Sequence, residues 1–368
     1  MIVKRAYKYR IYPNREQRNM FARTFGCVRL FYNTSLDDMN KIYKEKKEYK
    51  DITPASYKEK FPFFKEVDSL ALSNAQLNRN KAFKAFFRKQ NKFPKYKAKR
   101  NKQSYSTNNQ NGTVYLSEDC KYISLPKIKN IRIKMHRKFN GIIKTVTVSK
   151  ECDNTYYVSL LVEENIETKT KTNKSVGIDL GIKSYIVDSD SKKINNPKYL
   201  SKSLLKLSKE QRKLSHMKIG SINRNKQRIK VARLYRYIAN QRKNFLHQIS
   251  SQYINENQVI VLEDLDIKQM EQDSSLSRFI VDASWSTFVS MLEYKGKWYG
   301  REIIKVPTYY QSSQLCSYCG YQNKEVKDLS IRNWICPKCG STHNRDYNAS
   351  INILKKGLDI LKGKDIAG

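Results

Sequence analysis

The alternation of apolar and polar residues predicts a mixed α/β chain that begins with a helical region and a β-rich region. Residues 2–12 alternate as a strand, and Asn14 is placed to cap a helix over about 15–44. A second helix is predicted for about 69–90, where apolar residues recur at helical spacing. From about 113 to 164, short β segments separated by Gly and Asn predict a small barrel that the N-terminal strand completes.

A glycine-flanked strand at residues 176–183 opens the second half of the chain. Side chains alternate between the two faces of a strand, so Gly177, Asp179 and Gly181 share the face opposite an apolar one. Glycine within a strand often marks a place where a ligand or another backbone comes close. A carboxylate between two glycines could therefore hold a metal ion, although a hairpin strand with a solvated Asp shows the same pattern.

The remaining pattern predicts a packed α/β domain with two further acidic positions. Glu263 follows four consecutive apolar residues, which are typical of a fully buried strand. Asp346 falls in the first turn of an amphipathic helix, where it could simply complement the helix dipole. The other predicted elements are a hairpin strand at 185–187, helical segments at about 201–256 and 285–300, and a strand at 303–306.

Composition adds a strong positive charge to this picture. The 368 residues include 72 Lys and Arg against 34 Asp and Glu, a formal net charge of +38, which points to a large polyanionic partner. A membrane surface would also attract such a chain, but no apolar run approaches the roughly 18 residues that span a bilayer. The N-terminus shows no signal peptide, and the seven Cys fit a reducing cytoplasm better than a disulfide framework. We therefore expect a cytoplasmic protein.

The densest basic stretch predicts a nucleic-acid groove. Residues 79–102 contain 11 Lys or Arg and no acid, and aromatic residues interleave with them. Phosphates pair with cations and bases stack on aromatic rings, although a solvated basic helix and tail would look similar. The predicted phosphate contacts are Arg79, Lys84, Arg88, Lys95, Lys97 and Lys99, and the predicted base contacts are Thr107, Asn108 and Asn109. For the last three, the alternative is an ordinary turn between the helical region and the barrel.

Four of the cysteines form a metal-site pattern. Cys316, Cys319, Cys336 and Cys339 have the spacing C-x2-C-x16-C-x2-C, and a Gly follows each pair. Four thiolates satisfy a tetrahedral zinc ion and leave no open position, so we expect a structural zinc, with free thiols or disulfides as the alternative. His343 lies just beyond and is left out of the ligand set, because the Cys set is complete without it.

Three carboxylates on three core elements can converge on divalent cations. Asp179 lies on the glycine-flanked strand, Glu263 ends a buried strand and Asp346 begins a helix. Two such ions about 4 Å apart activate water and stabilise the leaving oxygen in phosphodiester cleavage. Oxygen ligands favour Mg²⁺ or Mn²⁺ over Zn²⁺. We therefore predict that these three residues are both catalytic and metal-binding.

As a set, these motifs resemble those of the TnpB family, RNA-guided RuvC-type nucleases of small bacterial insertion sequences that are related to compact type V CRISPR effectors. The order and spacing match as well, and the resemblance spans nearly the whole chain. One departure is visible, since Tyr347 and Ser350 stand where small or aliphatic residues are common. The matching segments are Tyr7–Pro13, Gly177–Gly181, Leu262–Leu265, Tyr294–Gly300, the four cysteines and Arg345–Ala349.

The resemblance implies a multidomain α/β fold. The expected parts are a ribonuclease H-like RuvC nuclease domain with an inserted zinc ribbon, a small β-barrel wedge domain and a helical recognition domain. The implied boundaries are 1–13 and 113–172 for the wedge barrel, 14–112 for the helical recognition domain, 173–312 and 343–368 for the RuvC domain, and 313–342 for the zinc ribbon.

The resemblance also implies a function. A guide RNA transcribed from the transposon end, one protein per guide RNA, would direct Mg²⁺-dependent cleavage of double-stranded DNA next to a short transposon-associated motif. A nuclease-inactive RNA-guided repressor is the rival hypothesis, but such relatives lose RuvC carboxylates, whereas all three are present here. A strand-joining transposase is a third hypothesis. The sequence offers no Tyr or His-hydrophobic-His constellation typical of the single-strand transposases that accompany this family.

Overall fold

The computed structural model describes residues 1–47, 51–270, 272, 277–328 and 330–367, and these form two compact units. The first unit holds residues 2–165 together with 228–232, and the second holds the rest. Parts of three predicted domains lie outside the described residues, namely 48–50 of the helical domain, 271, 273–276 and 368 of the RuvC domain, and 329 of the zinc ribbon.

The first unit is a seven-stranded antiparallel sheet covered by two long helices. The alternation in β1 puts Val3, Tyr7, Tyr9 and Ile11 on the buried face, as the pattern predicts. Strand order is β2-β6-β7-β1-β5-β4-β3, so the N-terminal strand lies at the centre between β7 and β5. The strands and helices are β1 (Ile2–Tyr12), α1 (Arg15–Lys46), α2 (Ser69–Phe87), β2 (Gln103–Asn108), β3 (Tyr115–Leu116), β4 (Tyr122–Leu125), β5 (Ile128–Lys134), β6 (Ile142–Lys150) and β7 (Tyr156–Asn165), with 3-10 helices at Pro54–Tyr57 and Pro62–Lys65.

Helix α1 begins where the sequence predicts. Asn14 accepts a hydrogen bond from Gln17 N at 2.8 Å, and the Gln17 side chain accepts one from Asn14 N at 2.9 Å, which closes a capping box. The apolar side of the helix then packs on the sheet, with the Phe21 ring 5.8 Å from the Tyr156 ring. The helices and strands of this unit therefore share one hydrophobic core.

Two details of this unit differ from the predicted layout. The predicted barrel is an open curled sheet, because the pairings among the described residues run in one line and leave β2 and β3 as edges. Strand β2 belongs to this sheet through its pairing with β6 from Gln103 to Asn108, although the predicted boundary placed it in the helical domain.

The second unit is built on a mixed five-stranded sheet in the order β10-β9-β8-β11-β12. Strand β8 pairs antiparallel with β9, as the predicted hairpin requires, and parallel with β11, which pairs parallel with β12. The elements up to this point are β8 (Ser175–Leu180), β9 (Ser184–Asp188), β10 (Lys193–Asn195), α3 (Tyr199–Ser215), α4 (Ile222–Glu256), β11 (Val259–Glu263), α5 (Ile267–Met270), α6 (Ser277–Ala283), α7 (Trp285–Tyr299) and β12 (Glu302–Val306). The predicted single helical region 201–256 is therefore two helices, which separate at residues 216–221.

Helices cover both faces of this sheet. Ile178 and Leu262 point to the face on which residues of α4 and α7 pack, including Phe288 and Leu292. The opposite face presents Val261 to a C-terminal helix that carries Ile353. The elements after β12 are a 3-10 helix at Lys324–Lys327, β13 (Asn333–Ile335), β14 (Thr342–Asn344) and α8 (Arg345–Ala367).

Among the described residues, no helix is both long and apolar enough to cross a membrane.

Candidate active site

Two of the three predicted carboxylates lie at the carboxyl ends of neighbouring parallel strands. Leu262 of β11 lies opposite Ile178 of β8, so the next residues along the two strands are Glu263 and Asp179. Because side chains alternate along a strand, Asp179 shares the face of Gly177, and Glu263 shares the face of Val261. Both carboxylates therefore stand side by side on the face that α8 covers.

Close packing of α8 brings the third carboxylate to the same place. A Cβ at Gly177 would lie 2.2 Å from Ser350 O, and a Cβ at Gly357 would lie 2.2 Å from a Val261 methyl carbon. The backbone of α8 thus rests directly on β8 and β11. Asp346 lies one helical turn before Ser350, and Asp179 lies two residues beyond Gly177. The contact between Ser350 and Gly177 therefore brings Asp346 towards Asp179. The glycine at 177 accordingly admits another backbone, which was one of the two meanings that the sequence allowed.

The charges of the neighbouring carboxylates act on Asp179. Burial raises the pKa of Asp179 well above its ordinary value, and the charges of Glu263 and Asp346 raise it further, while Arg345 and Arg332 act in the opposite direction. Burial also raises the pKa of Glu263. The cluster thus repels its own negative charge, and a bound cation would relieve that repulsion.

Two polar side chains hold members of the cluster. The Ser312 hydroxyl donates a hydrogen bond to a carboxylate oxygen of Glu263, which partly offsets the effect of burial on its pKa. The Arg332 guanidinium lies 3.1 Å from Asp346 Oδ1, and a guanidinium there competes with any cation for the same oxygen. Asn344 accepts a hydrogen bond from Tyr347 N and so caps the start of α8, which positions Asp346 in the first turn.

The donor set fits a hard divalent cation. All three carboxylates are partly buried and reachable from solvent, and carboxylate oxygens are ligands that Mg²⁺ and Mn²⁺ prefer. Groups of three or more His, Cys, Asp or Glu side chains can hold a metal ion when their ligand atoms lie close together. Over the described ranges, the four cysteines are the one such group whose ligand atoms all lie within 4.8 Å of one another. The carboxylates stand wider apart, so binding ions would draw them inward and release Asp346 from Arg332.

The four cysteines form the cluster that their spacing predicts. Cys316 and Cys339 Sγ are 3.6 Å apart, and so are Cys319 and Cys336 Sγ. The two pairs have the same local structure, in which the Gly after each pair donates its N–H to the first Cys carbonyl at 2.9 Å. Gly320 and Gly340 take positive φ angles of 73° and 71°, which only glycine adopts at little cost. Four sulfur atoms in this arrangement fit a closed structural zinc site.

His343 lies beside this cluster. Its Nε2 is 3.1 Å from Cys316 Sγ and 2.7 Å from Ser341 Oγ, and its ring packs on Trp334 with centroids 4.7 Å apart. Burial would raise the pKa of Cys316, but hydrogen bonds from Ser341, two backbone N–H groups and His343 lower it to about 5. These side chains therefore favour the thiolate form that binds metal.

Helix α8 also forms hydrogen bonds with the segment that leads into the cysteine cluster. The residues that form them were not identified from the sequence. Asn348 accepts a hydrogen bond from Ser317 N at 2.9 Å and donates to Leu315 O at 2.6 Å. Asn352 donates to Ser312 O at 2.9 Å and to Leu315 O at 2.7 Å. Both side chains are almost fully buried. The two residues are four positions apart and so lie on the same side of the helix, but that spacing is equally typical of a solvent-facing polar side.

Five of the predicted phosphate contacts remain open to test. Lys84, Arg88, Lys95 and Lys99 are exposed residues. Lys97 is an exposed residue as well, but its ammonium group lies 4.1 Å from the centroid of the Tyr32 ring, and burial lowers its pKa.

Arg79 is a core residue, which corrects the prediction that it contacts phosphate. Its side chain is 0% exposed, and its guanidinium makes an ion pair of 2.5 Å with Asp51 and lies over the Phe31 ring. A fully enclosed guanidinium cannot reach a nucleic acid without opening the helical layer. Its position on the inner side of α2 was hidden by the basic residues around it in the sequence.

Thr107 is also buried, at 0% exposure, which corrects its assignment as a base contact. The Asn109 side chain donates to Ile143 O at 3.1 Å and accepts from Val114 N at 2.9 Å. This agrees with the alternative of an ordinary turn. Asn108 is partly exposed and accepts a weak hydrogen bond from Thr145 Oγ1 at 3.3 Å, so it stays the best placed of the three.

Three family models match the chain. One, OrfB_IS605, described as "Probable transposase", matches residues 142–274, and a Cas12f1-like TNB domain matches residues 285–353. A helix-turn-helix model matches residues 1–48, yet among residues 1–47 the structure has one strand and one helix.

Curated relatives match almost the full length. A Streptomyces pristinaespiralis protein named "Putative RNA-guided DNA endonuclease" is 37% identical over 97% of this chain and 90% of its own length. The Escherichia coli protein InsQ, which carries the same description, is 30% identical over 97% of this chain and 93% of its own. Among solved structures, Cas12f1 in a complex with sgRNA and target DNA shares the fold, with a TM-score of 0.58 at 15% identity over 96% of this chain and 98% of that one.

Proposed function

Since this chain belongs to the TnpB family, the OrfB proteins of IS605-type elements, we propose that it is an RNA-guided endonuclease that cleaves double-stranded DNA next to a short transposon-associated motif. Full-length similarity to relatives named as putative RNA-guided DNA endonucleases supports the proposal. The net charge of +38 supports it as well, because a guide RNA and a DNA target together require a large cationic surface. One protein would serve one guide RNA.

The chemistry is assigned to a single RuvC site formed by Asp179, Glu263 and Asp346. In the sheet of the second unit, the antiparallel strands β10, β9 and β8 are extended by β11 and β12, which run parallel to β8, and this arrangement supports our proposal of a ribonuclease H-like domain. The observation that carries the assignment is the close packing of α8 on β8 at Gly177 and on β11 through Gly357 of the helix. It joins residues from three distant segments into one electrostatically coupled cluster.

The residues of the chain prepare this site for cations and phosphate. Burial raises the pKa values of Asp179 and Glu263, and the charges of Glu263 and Asp346 add to the rise at Asp179, which supports a site that would gain from bound positive charge. Ser312 orients Glu263, and the first turn of α8 presents Asp346. A pair of Mg²⁺ or Mn²⁺ ions held there would activate water and stabilise the leaving oxygen of the phosphodiester.

The remaining parts have supporting roles. The Cys₄ cluster, with its thiols preorganised by hydrogen bonds, would hold a structural Zn²⁺ that rigidifies the segment between β12 and α8. Lys84, Arg88, Lys95, Lys97 and Lys99 would contact phosphates, and Asn108 would contribute to reading the adjacent motif.

Isosteric substitutions test the assignment. Asp179→Asn, Glu263→Gln and Asp346→Asn each remove one charge and keep the shape, so each should abolish RNA-guided cleavage with Mg²⁺ and preserve RNA-dependent DNA binding. Asp359→Asn, on the exposed side of α8, is the matched control and should cut normally. Wild-type cleavage by any of the three variants would overturn the triad. DNA binding without cleavage by the unaltered protein would favour the rival repressor.

A further inference from the structure

The first unit contains a cavity of about 540 Å³, and Lys99 is the one residue lining it that has been given a role above. It lies between α1, the turn before β2 and the loop from β6 to β7. The side chains of Phe25 and Tyr156, only 4% and 8% exposed, form an apolar part of its wall. Its volume falls within the roughly 300–1,000 Å³ of ordinary small-molecule sites.

Cationic side chains surround this apolar wall. Arg29, Lys99, Arg100, Lys150 and Arg228, all of the first unit, line the cavity. Burial lowers the pKa of Lys150, and the charges of Arg228, Lys99 and Arg18 lower it further, which shows that these cations crowd one another. Like charges gathered around a cavity favour an anion inside it.

The one acid at the cavity does not neutralise this charge. Glu151 makes ion pairs with Lys102 at 2.7 Å and with Lys8 at 3.1 Å, and neither lysine lines the cavity. Its carboxylate is thus committed to other cations.

The cationic turn is held in place before any ligand binds. The Gln103 side chain accepts a hydrogen bond from Arg29 at 2.6 Å and donates to Asn101 O at 2.8 Å and to Lys99 O at 3.1 Å. It therefore fixes both Arg29 and the turn that carries Lys99 and Arg100. A preorganised set of donors loses little entropy on binding.

Resting on the proposed function, we propose that this cavity seats one unstacked nucleotide of the folded guide RNA, with the base on the apolar wall and the phosphate among the cations. Aromatic surface suits a base, and clustered Lys and Arg suit a phosphate. RNA fits better than duplex DNA, because folded RNA presents unstacked bases in loops and bulges, whereas a duplex must first lose pairing and stacking to present one.

Two kinds of substitution separate the base from the phosphate. Gly26 lines the cavity, and a Cβ there meets no atom within 4 Å. Gly26→Leu therefore adds bulk at the cavity from an unobstructed Cβ position, and Gly26→Ala is the matched control. Gly26→Leu should weaken binding of the RNA that co-purifies with the protein by about 5- to 150-fold, with an unchanged salt slope. The double variant Lys99→Gln/Arg100→Gln should weaken binding and lower the salt slope by about 0.7 per cation, while the exposed Lys138→Gln should have little effect.

Ultraviolet crosslinking of the RNA-loaded protein, followed by mass spectrometry, locates the contact. We expect RNA attached to a peptide that contains Phe25 or Tyr156, and loss of this crosslink in Gly26→Leu. Wild-type RNA affinity in Gly26→Leu, or a crosslink to target DNA in place of RNA, would overturn the proposal. If those results accompany normal RNA-guided cleavage, the cavity proposal alone fails. If no RNA is retained and no guided cleavage occurs, the proposed function fails with it.

Discussion

The contact between Gly177 and α8 yields the sharpest prediction for activity. In Gly177→Ala, the new methyl would lie 2.2 Å from Ser350 O and 2.7 Å from Leu354 N, both of which are backbone atoms. Ordinary contact begins at 3.4 Å, so the helix must move away from β8 by about 1.2 Å. Asp346 lies one turn from Ser350 and moves with the helix, away from Asp179.

Two magnitudes follow from this displacement. Overpacking of a dense interior costs about 1–3 kcal/mol of stability. A misplacement of about 1 Å at a reacting centre lowers the rate by about 100-fold, which corresponds to about 2.7 kcal/mol in the activation barrier. We therefore expect a modest loss of stability and a cleavage rate near one hundredth of the wild-type rate.

Single-turnover cleavage of a plasmid target measures the cleavage rate. Binding of the RNA-loaded protein to DNA in EDTA measures DNA binding without cleavage. DNA binding should stay within about threefold of wild type, because the displacement is local to the second unit. Gly363→Ala is the matched control on the same helix, since a Cβ there meets no atom within 4 Å. A Gly177→Ala protein that cuts at the wild-type rate, or that loses binding as severely as cleavage, would refute the reasoning.

Four further predictions concern the metal sites and their supports. Cys339→Ser should abolish the one zinc per chain that elemental analysis should find in the wild type, and full zinc content would contradict the closed Cys₄ site. Asn352→Ala removes the side-chain donor of the Ser312 carbonyl and one of the two side-chain donors of the Leu315 carbonyl, so thermal melting should show a loss of about 1–3 kcal/mol, and an unchanged melting curve would count against the role of this contact. Burial raises the pKa of Asp179 in the folded state, so the folded protein holds the Asp179 proton more tightly than the unfolded chain does. The stability that this proton contributes is therefore present at low pH and is lost as the pH rises through the folded-state pKa. Denaturation of the metal-free protein should therefore show that Asp179→Asn is more stable than wild type at neutral pH but not at acid pH. An equal difference in stability at the two pH values would exclude this link between the Asp179 proton and folding. Arg332→Gln should bind Mn²⁺ up to about fivefold more tightly in titrations, since the guanidinium no longer competes for Asp346, and weaker binding would show that Arg332 supports the site.

Local patterns were enough to predict most elements. The alternation in β1, the Asn14 cap of α1 and the four apolar residues before Glu263 all correspond to observed structure, because each depends on neighbours within a few residues. The cysteine cluster was equally visible, since its ligand spacing is a property of the sequence. The grouping of the three acids could be inferred from their positions at element ends.

Long-range packing was beyond these patterns. Arg79 sits in a basic run, and only the position of Asp51 and the surrounding helices determines that it is enclosed. Asn348 and Asn352 are polar residues on a helix that sequence periodicity treats as solvent-facing, yet they bind the backbone of the segment before the cysteines. Whether Gly177 faced a ligand or a helix also depended on residues far away in the chain.

The docking of α8 has a consequence for the order of folding. Asp179, Glu263 and Asp346 are spaced 84 and 83 residues apart, so the site depends on the closure of two long loops. Parallel strand pairing and late helix docking are among the slower events in folding, because chain entropy is lost before such contacts repay it. A chain in which β8 and β11 have paired but α8 is still undocked holds two of the three carboxylates and has no complete catalytic centre. We therefore expect cleavage activity to appear late in the folding of the second unit and to be lost when the helix comes away from the sheet.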